Sequence, residues 1–123
     1  MPMSAIKQSS TNQQNKQIIR ECPVSFTLEK IGGRWKPLIL YNLRVGPLRF
    51  GALKKALPAI TEKMLIQHLR ELEADLLVNR EVKPVVPPHV EYSLTATGQT
   101  LGPILNAMAE WGLSNLSPTP ALP

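Results

Sequence analysis

A chain of 123 residues with 43% hydrophobic content is long enough for one domain with a modest core. Its formal charge of +5 and pI near 9.7 favour a polyanionic partner. No apolar run approaches the roughly 18 to 20 residues that crossing a bilayer requires, and the N-terminus lacks the apolar core of a secretory signal, so a cytoplasmic protein is expected. A single Cys22 leaves no disulfide within the chain, which suits a reducing compartment, although two copies of the chain can still be bridged.

Residues 1–20 contain the polar run Gln8-Ser9-Ser10-Thr11-Asn12-Gln13-Gln14-Asn15, too poor in apolar surface to offset the entropy of ordering, and are expected to form a flexible tail. Cys22-Pro23 opens a short helix in which Val24, Leu28 and Ile31 share a face, and Gly32-Gly33 ends it. A second helix is predicted from about Arg34 to Leu43, with Pro37 tolerated because it falls in the first turn. After the break at Gly46-Pro47, Phe50, Leu53 and Leu57 lie three and four apart on a third helix.

The chain then turns at Leu57-Pro58-Ala59-Ile60 and begins a two-faced helix at Thr61 that runs to about Asp75. Leu65, Leu69, Leu72 and Leu76 form its apolar stripe, while Glu62, Lys63, Gln67, Arg70 and Glu71 point elsewhere. Leu77 to Lys83 and His89 to Thr95 read as strands, the second with Val90, Tyr92 and Leu94 alternating toward one face, and Pro84-Val85-Val86-Pro87-Pro88 joins them as a stiff tip. The last helix, about Thr97 to Leu116, places Leu101, Ile104, Leu105, Met108 and Trp111 on one stripe and should bend at Pro103. That stripe either packs against a second copy of the chain, with help from the first helix, or covers its own core; the second copy is the reading adopted. Residues 117–123, with three prolines, cannot be helical and are expected to form a second flexible tail. One domain is therefore expected over residues 21–116.

Helix, tight turn, helix and hairpin is the order of a winged helix-turn-helix, whose second helix lies in the DNA major groove. The fold class is expected to be α+β, mainly α, with a two-stranded wing hairpin and terminal dimerisation helices. The charge distribution agrees with double-stranded DNA as partner. From Lys30 to Lys63, Lys30, Arg34, Lys36, Arg44, Arg49, Lys54, Lys55 and Lys63 stand against Glu62 alone, whereas acidic residues outnumber basic ones from Met64 to Leu116, so basic charge is concentrated around the helix-turn-helix.

The run Cys22-Pro23-Val24, Ile31-Gly32-Gly33-Arg34-Trp35, Leu38-Ile39-Leu40, Gly46-Pro47-Leu48-Arg49-Phe50, Lys63-Met64-Leu65, Leu69-Arg70-Glu71-Leu72-Glu73, Pro87-Pro88, Val90-Glu91-Tyr92-Ser93-Leu94-Thr95, Gly98 and Trp111-Gly112 resembles the HxlR-type branch of the MarR-like transcription regulators, in the same order from Cys22 to about Gly112. The resemblance implies a homodimeric, winged-helix, DNA-binding regulator of bacterial type with terminal helices at the dimer interface. The chain departs from the pattern at Ala59 and Leu76, where the family usually has glycine. A left-handed Leu76 would cost roughly 1 to 2 kcal/mol, and a helix running one residue further would avoid that cost.

Thr61 sits where an N-cap belongs and can also offer the helix N-terminus to a phosphate. Lys63 and Gln67, four apart and opposite the leucines, can both enter a major groove, Gln pairing with adenine and Lys with guanine or phosphate. Arg70 can reach the backbone or pair with Glu71 or Glu73, and Ile66 can touch a thymine methyl or pack at the helix edge. Arg49 is a candidate phosphate clamp with Lys54 and Lys55 as weaker ones; Lys83 and His89 flank the wing tip and can meet phosphate or the minor groove. Arg80 and Glu91 are expected to pair across the hairpin.

Cys22, at a helix N-terminus, is a candidate redox sensor, because the dipole favours a thiolate there. The resemblance suggests the same, with an oxidant, electrophile or small-molecule effector; the bland alternative is a small buried residue. His68, His89 and Cys22 are too few and too scattered for a metal site, and no nucleophile–base–acid set or phosphate-binding glycine loop is visible, so neither catalysis nor a cofactor is expected. The rival reading is a winged helix used only for dimerisation or protein docking, which should present an apolar or acidic face where this chain places Lys63 and Arg70.

Overall fold

The computed structural model describes residues Cys22 to Leu116, so the two expected tails, within residues 1–20 and 117–123, lie outside the described residues. The chain divides after Gly33 into two units. In the first, helix α1 (Pro23–Ile31) starts with proline in its first turn and has Cys22 as its extended N-cap. It ends where the Gly32 N–H donates to the Leu28 carbonyl across 2.7 Å. Lys30 lies 5.5 Å from the centre of the Phe26 ring, one turn back, and sits in the last turn, where the dipole favours positive charge. Of the expected apolar face only Ile31 is buried; Val24 and Leu28 are exposed.

The second unit follows the order α2 (Trp35–Leu43), β1 (Leu48–Arg49), α3 (Phe50–Ala56), α4 (Glu62–Ala74), β2 (Val78–Lys83), β3 (His89–Leu94), α5 (Ala96–Gln99) and α6 (Gly102–Asn115). The α2 helix buries Ile39, Leu40 and Leu43. Gly46 then takes φ 146, a conformation that costs a side-chain-bearing residue dearly, and turns the chain into β1. That two-residue strand has no sequence signature, being too short for any alternation, yet it pairs antiparallel with β3 through Leu48↔Tyr92 and Arg49↔Glu91. The hairpin expected from the sequence is therefore part of a three-stranded antiparallel sheet in the order β1-β3-β2.

Leu53, Leu57, Ile60, Leu65, Leu69 and Leu72 carry the core from α3 through the turn and along α4. The stripe does not end at Leu76. That residue takes φ 61 and is 71% exposed, while Leu77 is buried in its place. The N–H of Leu76 donates to the Glu73 carbonyl and the N–H of Leu77 to the Leu72 carbonyl, which is the Schellman closure of a helix with leucine where glycine is usual. The helix does not continue by one residue, because continuation would leave Leu77 and Val78, both buried, without their places in the core. Among the described residues Leu76 is the only non-glycine at positive φ, so Ala59 sits in its turn without needing glycine's freedom.

The C-terminal segment also differs from a single bent helix. Thr95 caps α5, its hydroxyl accepting from the Gly98 N–H at 2.9 Å and donating to the Leu76 carbonyl at 2.6 Å. The helix then breaks at Thr100 and Leu101, and α6 starts afresh with Pro103 in its first turn, where a missing N–H costs nothing. Gly98 is buried so tightly that a Cβ there would collide with the Leu77 carbonyl oxygen.

Candidate nucleic-acid interface

Three buried leucines fix the rotation of α4, and everything the helix offers outward follows from that. Thr61 is extended and its Oγ1 accepts the N–H of Met64 at 3.1 Å, with Glu62 in the first turn; the cap inferred from sequence is formed, and it sets the point at which the helix begins. Lys63, Gln67 and Arg70 are exposed, and with Glu62, Ile66 and Glu71 they line a shallow concavity of about 570 Å³. Among the described residues Lys63, Arg70 and Arg49 hold no ion pair, so Arg70 does not take the pairing with Glu71 or Glu73 that its sequence position allowed.

Gln67 is not free. Its Nε2 donates to Glu71 Oε2 at 3.3 Å, and Glu71 Oε1 receives Lys36 Nζ from α2 at 2.8 Å. His68 Nδ1 lies 3.5 Å from the same oxygen without the geometry of a hydrogen bond. The Lys36 ammonium first, and then the Gln67 amide, hold the Glu71 carboxyl down to about 2. Sequence reasoning missed this link because it joins residues 35 positions apart on two helices whose crossing no local pattern encodes.

Arg49 is the extended N-cap of α3 and exposed, as a phosphate clamp requires; Lys54 Nζ is instead turned onto the Pro58 carbonyl at 3.2 Å. At the wing the expectations change. The register pairs Glu81 with Glu91 and Arg80 with Tyr92, so Arg80 and Glu91 project from opposite faces and do not pair. Lys83 answers the carboxylates instead, at 3.3 Å from Glu81 and 3.8 Å from Glu91, and His89 stands 3.6 Å from Glu91. Both wing residues assigned to DNA thus already face acidic groups. Arg80 lines a groove of about 440 Å³ with Phe50, Ile66, Arg70, Glu73, Val90 and Tyr92, and sequence reasoning, having paired it with Glu91, overlooked it.

The remaining candidates fall elsewhere. Leu105 is 3% exposed and belongs to the chain's own core, not to a surface a partner can reach, while Leu101 is half-buried at the start of α6. Ile104, Met108 and Trp111, one turn apart along α6, are exposed. Cys22 makes no side-chain capping hydrogen bond, but the N–H of Ser25 first and then its hydroxyl lower the pKa of the thiol, against an opposing effect of burial that outweighs the further lowering by the Val24 N–H. Among the described residues no group of three or more His, Cys, Asp or Glu side chains can hold a metal, and no helix is long and apolar enough to cross a membrane.

Comparison with known proteins agrees with this geometry. The model of the HxlR-like helix-turn-helix family matches residues 30–120. The HTH-type transcriptional regulator YybR of Bacillus subtilis strain 168 is 54% identical over 94 residues, 76% of this chain and 75% of YybR. Among solved structures, the redox regulator HypR in its oxidised form superposes with a TM-score of 0.75 at 53% identity, covering 78% of this chain and 99% of HypR. The reduced form of the transcriptional regulator YodB from B. subtilis does so with a TM-score of 0.67 at 35% identity, covering 80% of this chain and 97% of YodB. These relatives are regulators and not enzymes, and the chain belongs to the HxlR-like helix-turn-helix family of transcriptional regulators.

Proposed function

We propose that the protein is a cytoplasmic homodimer that binds a roughly palindromic operator in double-stranded DNA, each α4 entering one major groove. The observation that carries this reading is the outward face of α4, where Lys63, Gln67 and Arg70 stand opposite Leu65, Leu69 and Leu72 on a helix whose first turn is set by Thr61. Arg49 supplies phosphate contact beside it. A docking module would present an apolar or acidic face there, and the free cations Lys63 and Arg70 speak against it. Lys83 and His89 serve DNA only by leaving Glu81 and Glu91, so they contribute less than Arg49. The exposed Ile104, Met108 and Trp111 of α6 supply the contact with the second copy.

The test is selection of bound sequences from random duplex DNA, followed by affinity measurements against salt. Recovery of a two-fold motif with a steep salt dependence is expected; no enrichment and no salt-dependent binding would exclude the reading.

Redox control through Cys22 forms the second part of the proposal. Its support is the lowered pKa of the thiol at the start of α1 and the similarity to HypR, a redox regulator. Diamide should release the wild-type protein from its operator and leave a Cys22→Ser variant bound; equal loss in both would remove Cys22 from the mechanism.

A further inference from the structure

A glutamine amide carries two N–H donors and one carbonyl acceptor, and unrestrained it can present donors or acceptor to almost any base edge. Gln67 is restrained. The group it faces, Glu71, is ionised because the Lys36 ammonium lies 2.8 Å from it, and an ionised carboxylate only accepts. The atom of Gln67 turned toward Glu71 is therefore the nitrogen, and one of its two N–H groups is occupied at 3.3 Å. Lys36 comes from α2 with a side chain only 13% exposed, so the restraint is anchored in the scaffold and not merely in the next turn of α4.

One donor and one acceptor remain. Adenine presents in the major groove one donor, N6–H, and one acceptor, N7, whereas guanine presents two acceptors, O6 and N7. An amide with a single N–H left matches adenine and cannot donate twice to guanine. We infer that Lys36 and Glu71 are positioning residues that make Gln67 an adenine-selective reader which discriminates against guanine. This inference rests on the proposed insertion of α4 into the major groove.

The test uses the full-length protein and its selected operator, with every base pair of one half-site replaced in turn and affinities compared for wild type, Gln67→Ala, Glu71→Ala and Glu71→Gln. Wild type should show a position where adenine is favoured over guanine by about ten-fold, as a bidentate contact gives. Gln67→Ala should abolish the preference at that position alone. Glu71→Ala should reduce it several-fold by admitting guanine, and Glu71→Gln, which keeps a neutral acceptor, should restore part of it. A full adenine preference in Glu71→Ala would overturn the positioning role, and unchanged preferences in Gln67→Ala would overturn base reading by Gln67. Failure of the wild type to bind DNA at all would instead sink the underlying reading, so the two failures are distinguishable.

Discussion

The N–H of Leu77 reaches the carbonyl of Leu72 across 2.9 Å, and the residue between α4 and that bond, Leu76, takes φ 61 to allow it. Closing the helix this way turns the chain into β2 and sends Leu77 and Val78 inward, while the Leu76 side chain is left in solvent. Leucine in this conformation costs roughly 1 to 2 kcal/mol, and its exposure means that little apolar burial is lost if it is replaced. Leu76→Gly should therefore stabilise the protein by about 1 kcal/mol after the greater flexibility of glycine in the unfolded chain is deducted. Urea unfolding at fixed protein concentration measures this; a destabilised variant would show that the Leu76 side chain has a packing role.

Gly98 makes the opposite point. Its backbone lies against Leu77, and a methyl group there meets the Leu77 carbonyl oxygen, which is part of the helix-to-strand corner and accepts the Thr95 N–H at 3.1 Å. Neither can yield cheaply. Gly98→Ala should cost about 1 to 3 kcal/mol, comparable to overpacking a core, and should appear as a lowered urea midpoint with unchanged slope.

Glu71 links α4 to α2, and its charge state gives the link a pH dependence. Its pKa is about 2 in the folded chain against an ordinary value of 4.5, so the stability it contributes is fully present above 4.5 and is lost as pH falls toward 2. Glu71→Gln should remove that part of the acid sensitivity. Comparing unfolding free energies of the two proteins from pH 6 to pH 2 should show the curves converging at low pH, and curves that stay parallel would deny the link any role in stability.

Lys63 carries charge on the exposed side of α4 with no acidic partner among the described residues. Lys63→Ala should weaken operator binding and lower the dependence of log affinity on log salt by about one counterion. An unchanged slope with weakened binding would mean a base contact without phosphate neutralisation, and no change in either would remove Lys63 from the interface.

Much of this arrangement was legible in residue order. The Leu65, Leu69 and Leu72 spacing of α4, the Thr61 cap and the proline-tipped hairpin each depend on neighbours a few positions apart, and each formed where the sequence places it, whereas Leu76, read as the fourth member of the stripe, left it for solvent. What escaped were pairings set by three-dimensional register. Arg80 and Glu91 look complementary in the sequence, but an alternation of one residue puts them on opposite faces of the sheet. Lys36 and Glu71 look unrelated and meet at 2.8 Å. Leu105 shares its helical stripe with Met108, yet the first is in the core and the second is not, because a stripe wide enough to serve two surfaces looks the same on a helical wheel as one serving a single surface.

That division of α6 gives a sharp test of dimerisation. Trp111 is 70% exposed and Met108 52%, so polar substitution disturbs the protomer's own packing far less than at Leu105, and least at Trp111. A dimer that seats these side chains would lose them at its centre, where large aromatic residues contribute most. Trp111→Glu should keep its helical content but sediment as a monomer at micromolar concentration, and its operator affinity should fall by orders of magnitude because two half-sites are no longer bound together. Leu105→Ala should behave differently: it opens a cavity in the protomer's own core and should cost about 2 to 5 kcal/mol of stability while any dimer that still folds persists. Dimers of undiminished stability in Trp111→Glu would place the contact between copies elsewhere, and the unpartnered apolar face of α6 would then need another occupant.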